Sequence, residues 1–471
     1  PKAINKDGTS YIDDFEGSQS TIDLKSISSW RLASIPHGQP DLFPETTTSF
    51  KADSTYNSKR AKLAWYNIDP VFQSKSNLTP SNINTLQQSN HWVRTVTLKE
   101  LFDEIELQQG QPQQLPTLDL SYYPDERGQY NFNTENMEAD GTLNNPKENW
   151  AGIMRRIETN DFEATNIDYI EVWLMDPFVY SKHQGTKHNT GQLYINLGSV
   201  SEDIIPDRKR SAENGLPVPN GNYTVDSGKY TLTPRGQIIN KAFDNDPAAR
   251  TAQDIGLDGM SDEVERTRLK FYLDAIAAKH GTASLAYKIA EADPSADNYM
   301  YPRDPIYDGS NAMVLQRYKN YNGFEGNSTV DKLDDGTPKS ANTIPDDEDI
   351  NQDYTVNLNE EYYQYKIEIS PDKLRIGENF VTDSVYTDAN QIDPGAEPNK
   401  VTWYQLKIPI RQYDKKVGGI QDFKSIRFMR MYVSGFEDSL VLRFGNLQLV
   451  RADWRRYLNT LKFPPRVGPA I

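Results

Sequence analysis

Ile167-Asp168-Tyr169-Ile170-Glu171-Val172-Trp173-Leu174-Met175 reads as a β-strand and sets the class of the fold. The run is aromatic and β-branched. Ile170, Val172 and Leu174 share one face at the period of two that a pleated strand imposes. Trp150 to Ile157 before it and Gln192 to Leu197 after it have the same character, with turn residues between. In the latter, Leu193, Ile195 and Leu197 fall on one face.

The pattern extends in both directions. Toward the C-terminus, Tyr363, Tyr365, Ile367 and Ile369 alternate with polar neighbours, as do Tyr404, Leu406, Ile408 and Ile410. Ile426 to Val433 and Leu440 to Val450 complete the set. In the last, Leu440, Leu442 and Phe444 are in phase, and Leu447 and Leu449 take the other phase. A one-residue slip at Gly445-Asn446 predicts a β-bulge. Toward the N-terminus, Thr117 to Tyr123 and Ala61 to Phe72 predict strands, the second stopped by Pro70. His91 to Leu107 begins with strand-like alternation and becomes a short helical turn. Residues 11–35 supply an opening strand.

Between Ser201 and Asp353 the chain turns acidic and loop-rich. Ser261 predicts the cap of a helix over Asp262 to His280, with Glu263 and Glu265 in its first turn and Gly281 beyond its end. Leu269, Tyr272, Leu273 and Ile276 fall on one face of it, and a second short helix follows over Ser284 to Ala292. Strands on both sides of a helical segment predict a mainly β chain: a jelly-roll-like antiparallel sandwich of the galactose-binding kind with a large, partly helical insertion. Helices do not alternate with strands, so a parallel α/β fold is disfavoured. The expected division is 11–200 and 354–457 for the two halves of the sandwich, 201–353 for the insertion and 458–471 for a tail.

The balance of 51 basic and 67 acidic residues gives a net charge of −16. No dense basic cluster is present, which disfavours nucleic acid and anionic membrane surfaces as partners. Cysteine is absent, which removes disulfides, thiolate chemistry and Cys-ligated zinc. No apolar run reaches the ~18 residues of a spanning helix, and no signal peptide opens the chain. Pro1 is not a translation start, so a fragment or processed product is expected.

Two acidic groups are candidate calcium sites, because hard oxygen donors suit that ion. The first is Asp13, Asp14 and Glu16 in the opening run. First and last strands lie side by side in many jelly rolls, which would bring these carboxylates to the bulge at Asn446. The alternative is pairing with Arg427, Arg430 or Arg443, or with backbone amides. The second is the run Asp254 to Glu265, with Asp254, Asp258, Asp262 and Glu265 as donors. Against a twelve-residue calcium loop, positions 1, 5, 6 (Gly259) and 12 agree and position 3 is Gly256. The alternative is a turn into a helix N-terminus, where acids are favoured in any case. Trp65, Trp92 and Trp173 are candidate sugar platforms, and core residues on the alternative reading. Acid pairs such as Glu158 with Asp161 or Glu171 with Asp176 are expected by chance, and the five histidines show no ligand or triad spacing. An enzyme is not expected.

The opening Asp13-Asp14-Phe15-Glu16 resembles the start of jelly-roll carbohydrate-binding modules, where such a start often holds a structural calcium. Longer phrases are more specific. These are Asp13 to Ser20, Tyr194 to Ile204, Glu213-Asn214-Gly215-Leu216-Pro217, Asp254 to Gly259 and Gly419 to Arg430. Together they resemble the SprA/Sov family of Bacteroidetes. That resemblance implies a soluble portion of a much larger outer-membrane β-barrel, the translocon of the type IX secretion system, which also supports gliding motility. It implies no catalytic residues. The implied partners are other secretion-system proteins, exported proteins and the remainder of the barrel. The rival reading is a carbohydrate-binding jelly-roll module of a cell-surface protein.

Overall fold

The structure, a computed structural model, describes residues 4–6, 9–11, 21–46, 56–102, 113–216, 225–235 and 241–451, apart from 324, 330–331, 333–335, 337–338, 340–341 and 390. Two antiparallel sheets form its framework. Their strands up to residue 199 are β1 (Thr21–Asp23), β2 (Arg31–Leu32), β3 (Ala61–Tyr66), β4 (Leu118–Arg127), β5 (Trp150–Arg156), β6 (Ile167–Met175) and β7 (Gly191–Ser199). The remainder are β8 (Glu361–Ile369), β9 (Val381–Asp388), β10 (Lys400–Pro409), β11 (Lys415–Val417), β12 (Phe428–Ser434) and β13 (Leu440–Arg451). The six-stranded sheet runs β11-β8-β7-β12-β5-β2. The seven-stranded sheet runs β9-β10-β6-β13-β4-β3, with β1 also on β13. Among the described residues between Ser199 and Glu361, none joins either sheet.

One apolar core draws on both sheets. Ile170, Val172 and Leu174 of β6 and Leu442 and Leu447 of β13 share it with Ile153, Ile195 and Met431 of the opposite sheet. The other face of the seven-stranded sheet is covered as well. Trp173 and Met175 pack with Val96, Leu101 and Trp403. Ala64 and Tyr66 pack with Tyr299, Tyr318 and Tyr321. Burial on both faces explains why β6 is apolar almost throughout. Each large side chain so buried contributes about 1.5–3 kcal/mol.

The first and last strands of the framework do lie together. Ile22 faces Leu449, and the Leu24 amide donates to the Leu447 carbonyl at 2.9 Å. The slip at Gly445 is a register shift between Phe444 and Asn446 against β6. Other expectations change. His91 to Thr97 forms no strand, because Arg94 turns inward onto Glu100, with Nη1 to Oε2 at 2.7 Å. The helix expected over Asp262 to His280 is two, α1 (Asp262–Arg268) and α2 (Lys270–His280), separated by buried Leu269 at φ −91°, ψ 19°. Ser261 caps α1 without a side-chain hydrogen bond. Helix α3 (Leu285–Ala292) follows, and Ser284 caps it by accepting from the Tyr287 amide.

Candidate metal centre

The acidic segment folds around carboxylates that hold backbone amides. Glu213, fully buried, accepts from the amides of Ile255 and Gly256 through Oε1 and from that of Asp346 through Oε2. Glu348 holds the amides of Ile205 and Ser211 in the same manner. Glu202 holds those of Asn351 and Asn357. A carboxylate with two oxygens fastens two stretches of loop at once, which lets a segment poor in regular structure pack.

One group departs from this pattern. Asp258, Glu265 and Asp297 are all buried, and one oxygen from each lies within 4.8 Å of the others. Asp258 sits in the turn before α1, Glu265 on α1, and Asp297 in the loop after α3. Asp258 accepts from the Met260 amide (2.9 Å) and the Ser295 hydroxyl (2.7 Å). Glu265 Oε2 accepts from the Ser295 amide at 3.0 Å. Asp297 Oδ2 accepts from the Tyr130 hydroxyl at 3.1 Å. The remaining oxygens, Glu265 Oε1 and Asp297 Oδ1, are sealed and have no hydrogen-bond partner. Gly256, at φ +90°, makes room, since a Cβ there would stand 2.1 Å from Asp297 Oδ2.

A second group shares Glu265. Asp262 and Asp293, both half-buried, bring an oxygen within the same distance of it. Asp262 Oδ1 accepts from Asn298 Nδ2 at 3.1 Å, and Asp293 accepts from the amides of Asp297 and Asn298. Burial first, and the neighbouring carboxylates second, push Asp258 and Asp297 far above the usual range and Glu265 up to about 10. Asp293 is raised by burial and lowered by Arg127 beside it. The Arg127 guanidinium itself donates to the carbonyls of Asn131, Asp293 and Pro294.

Three of the four residues expected from the run 254–265 therefore meet: Asp258, Asp262 and Glu265. Asp254 is elsewhere, paired with Arg250 at 2.8 Å and accepting from Ser328. Its place is taken by Asp293 and Asp297. Their run, Asp293-Pro294-Ser295-Ala296-Asp297, carries two acids around a Pro-Ser turn, and only the fold brings it to α1.

Asp13, Asp14 and Glu16 lie outside the described residues. Asn446 donates through Nδ2 to Glu171 at 3.3 Å, and Lys25 Nζ donates to the Gly445 carbonyl at the bulge at 2.9 Å. Arg430 is held by Glu360 and Arg443 lies against Asp119. Trp65 and Trp173 are core residues and present no platform, and Trp92 is half-buried. His91 is buried against the Pro398 carbonyl and Arg94, and His280 bonds the Met137 carbonyl.

Residues 271–468 match the family model SprA_N, described as a motility related/secretion protein. That segment is similar to the SprA family. The match takes in α2 from its second residue, α3, the strands β8 to β13, and Asp293 and Asp297, while Asp258, Asp262 and Glu265 precede it. No curated protein matches the chain. Motility- and secretion-related function fits association with the cell envelope and with other secretion components. Among the described residues no helix is long and apolar enough to cross a membrane.

Proposed function

We propose that this chain is a non-enzymatic scaffold of the type IX secretion translocon at the outer membrane. It docks partner proteins or shapes the passage, and so serves protein export and gliding motility. The observation that carries this reading is the SprA_N match over the closing half of the two-sheet framework. The deployment of buried polar groups supports it. Glu202, Glu213 and Glu348 hold loop amides, and Arg94 and Arg430 hold Glu100 and Glu360, so these groups serve the packing. The two sheets are read here as a jelly-roll-like sandwich interrupted by residues 201–353. Burial of Trp65 and Trp173 counts against the carbohydrate-binding alternative.

Crosslinking in living cells tests the reading. A photoreactive residue at Tyr386 or Ile306, both largely exposed, should capture other secretion components or cargo in transit. Replacing the segment's core residues in the chromosomal copy should reduce export and gliding together. Unaltered export with the segment unfolded would remove the proposal.

A further inference from the structure

The geometry points to a binding site for one hard divalent cation of the calcium class, held by Asp258, Glu265 and Asp297, with Asp262 and Asp293 at its mouth. Asp258 and Glu265 come from one turn-and-helix run and Asp297 from the loop after α3, and one oxygen of each stands close enough to share an ion. Every other oxygen of the trio already has a donor that orients it: the Met260 amide, the Ser295 amide and hydroxyl, and the Tyr130 hydroxyl. The two that lack one, Glu265 Oε1 and Asp297 Oδ1, are sealed from water. A buried carboxylate oxygen without a donor is rare in folded proteins, and two in one group call for a shared positive partner, a proton or a metal ion that displaces it. Arg127, the guanidinium beside Asp293, is engaged with main-chain carbonyls.

The donor set selects the ion. It is all oxygen, with no imidazole or thiolate, which disfavours zinc and copper. Carboxylates drawn from a turn, a helix and a loop, with no symmetric arrangement imposed on them, suit the larger, more variable shell of calcium better than the strict octahedron of magnesium. The half-buried pair Asp262 and Asp293, sharing Glu265 with the trio, supplies an acidic entry path. A bound ion would tie the turn before α1, α1 itself and the loop after α3 into one unit. Through Tyr130, which follows β4 and also accepts from the Leu257 amide, that unit is joined to the seven-stranded sheet.

The test uses the 471-residue chain stripped with chelator. Calcium should raise its melting temperature by several degrees, magnesium much less. Terbium should give tyrosine-sensitised emission that calcium displaces and that Tyr130→Phe diminishes. Asp297→Asn and Glu265→Gln should each weaken calcium binding by at least about tenfold, judged by the loss of a principal ligand. Asp254→Asn, outside the group, should bind as the parent does. The inference is overturned if a few millimolar calcium leaves the melting temperature unchanged, or if Asp297→Asn responds as the parent does. Should that variant fail to fold, terbium on the parent chain decides: emission absent, or untouched by Tyr130→Phe, also overturns it.

Discussion

Arg443 and Asp119 face each other across β13 and β4, 3.3 Å apart and both closed off from solvent. Burial holds the Asp119 carboxyl up at about 6, against the pull of Arg443 in the other direction. The folded chain therefore keeps a proton that the unfolded chain releases near 3.8. The stability this adds is complete below that lower pH and gone once pH has risen past about 6. Arg443→Met strands the carboxylate and should cost about 3–5 kcal/mol at neutral pH. The double change Arg443→Met with Asp119→Leu should recover most of that. Urea unfolding of the three proteins measures it.

Glu202 is raised from 4.5 to about 7, chiefly by burial, while its two amide donors pull it down. Its contribution has the same sign: full below about pH 4.5 and lost as pH rises through about 7. Glu202→Ala leaves the amides of Asn351 and Asn357 without their acceptor and should cost about 2 kcal/mol or more. It should also flatten the decline in stability across that window. Chemical unfolding at several pH values within the window reads both effects.

Gly323 packs closely against the indole of Trp65, and its φ is +61°. A Cβ there would stand 1.7 Å from Trp65 Cε2. Gly323→Ala combines a left-handed backbone with a clash in the core and should cost about 2–4 kcal/mol. Thermal melts followed by tryptophan fluorescence should show both the loss and a changed emission maximum.

Lys25 spans the bulge, donating to the carbonyls of Gly445 and Pro116 at 2.9 and 3.1 Å. Lys25→Met should lower stability by about 1 kcal/mol, the modest figure reflecting its partial access to water. Amide exchange should quicken at Leu24, whose amide bonds β13 next to the bulge, and stay unchanged at the far strand β8.

Much of the framework was legible in the sequence, for a physical reason. A strand such as Ile167–Met175 states its own face pattern, and a bulge such as Gly445-Asn446 states its own phase slip. The strand Val381–Asp388 escaped because it is an edge on which only Val381 is buried, so nothing in it alternates. His91 to Thr97 misled because Arg94 points inward, as only its partner Glu100 permits. In the acidic group, Asp258, Asp262 and Glu265 could be read as neighbours through spacing along one turn and one helix. Asp293 and Asp297 could not, since their approach to α1 depends on how α3 packs, which no local pattern records.

The pairing of β1 with β13 has a mechanical consequence. Thr21 stands opposite Val450, and the neighbouring pairs step inward from there. Tension applied at those two positions pulls across the hydrogen bonds and not along the strands, so they would open singly, like a zipper from its free end. A load transmitted through these flanks would peel β1 away first and leave the wider seam between β13 and β6 carrying the force.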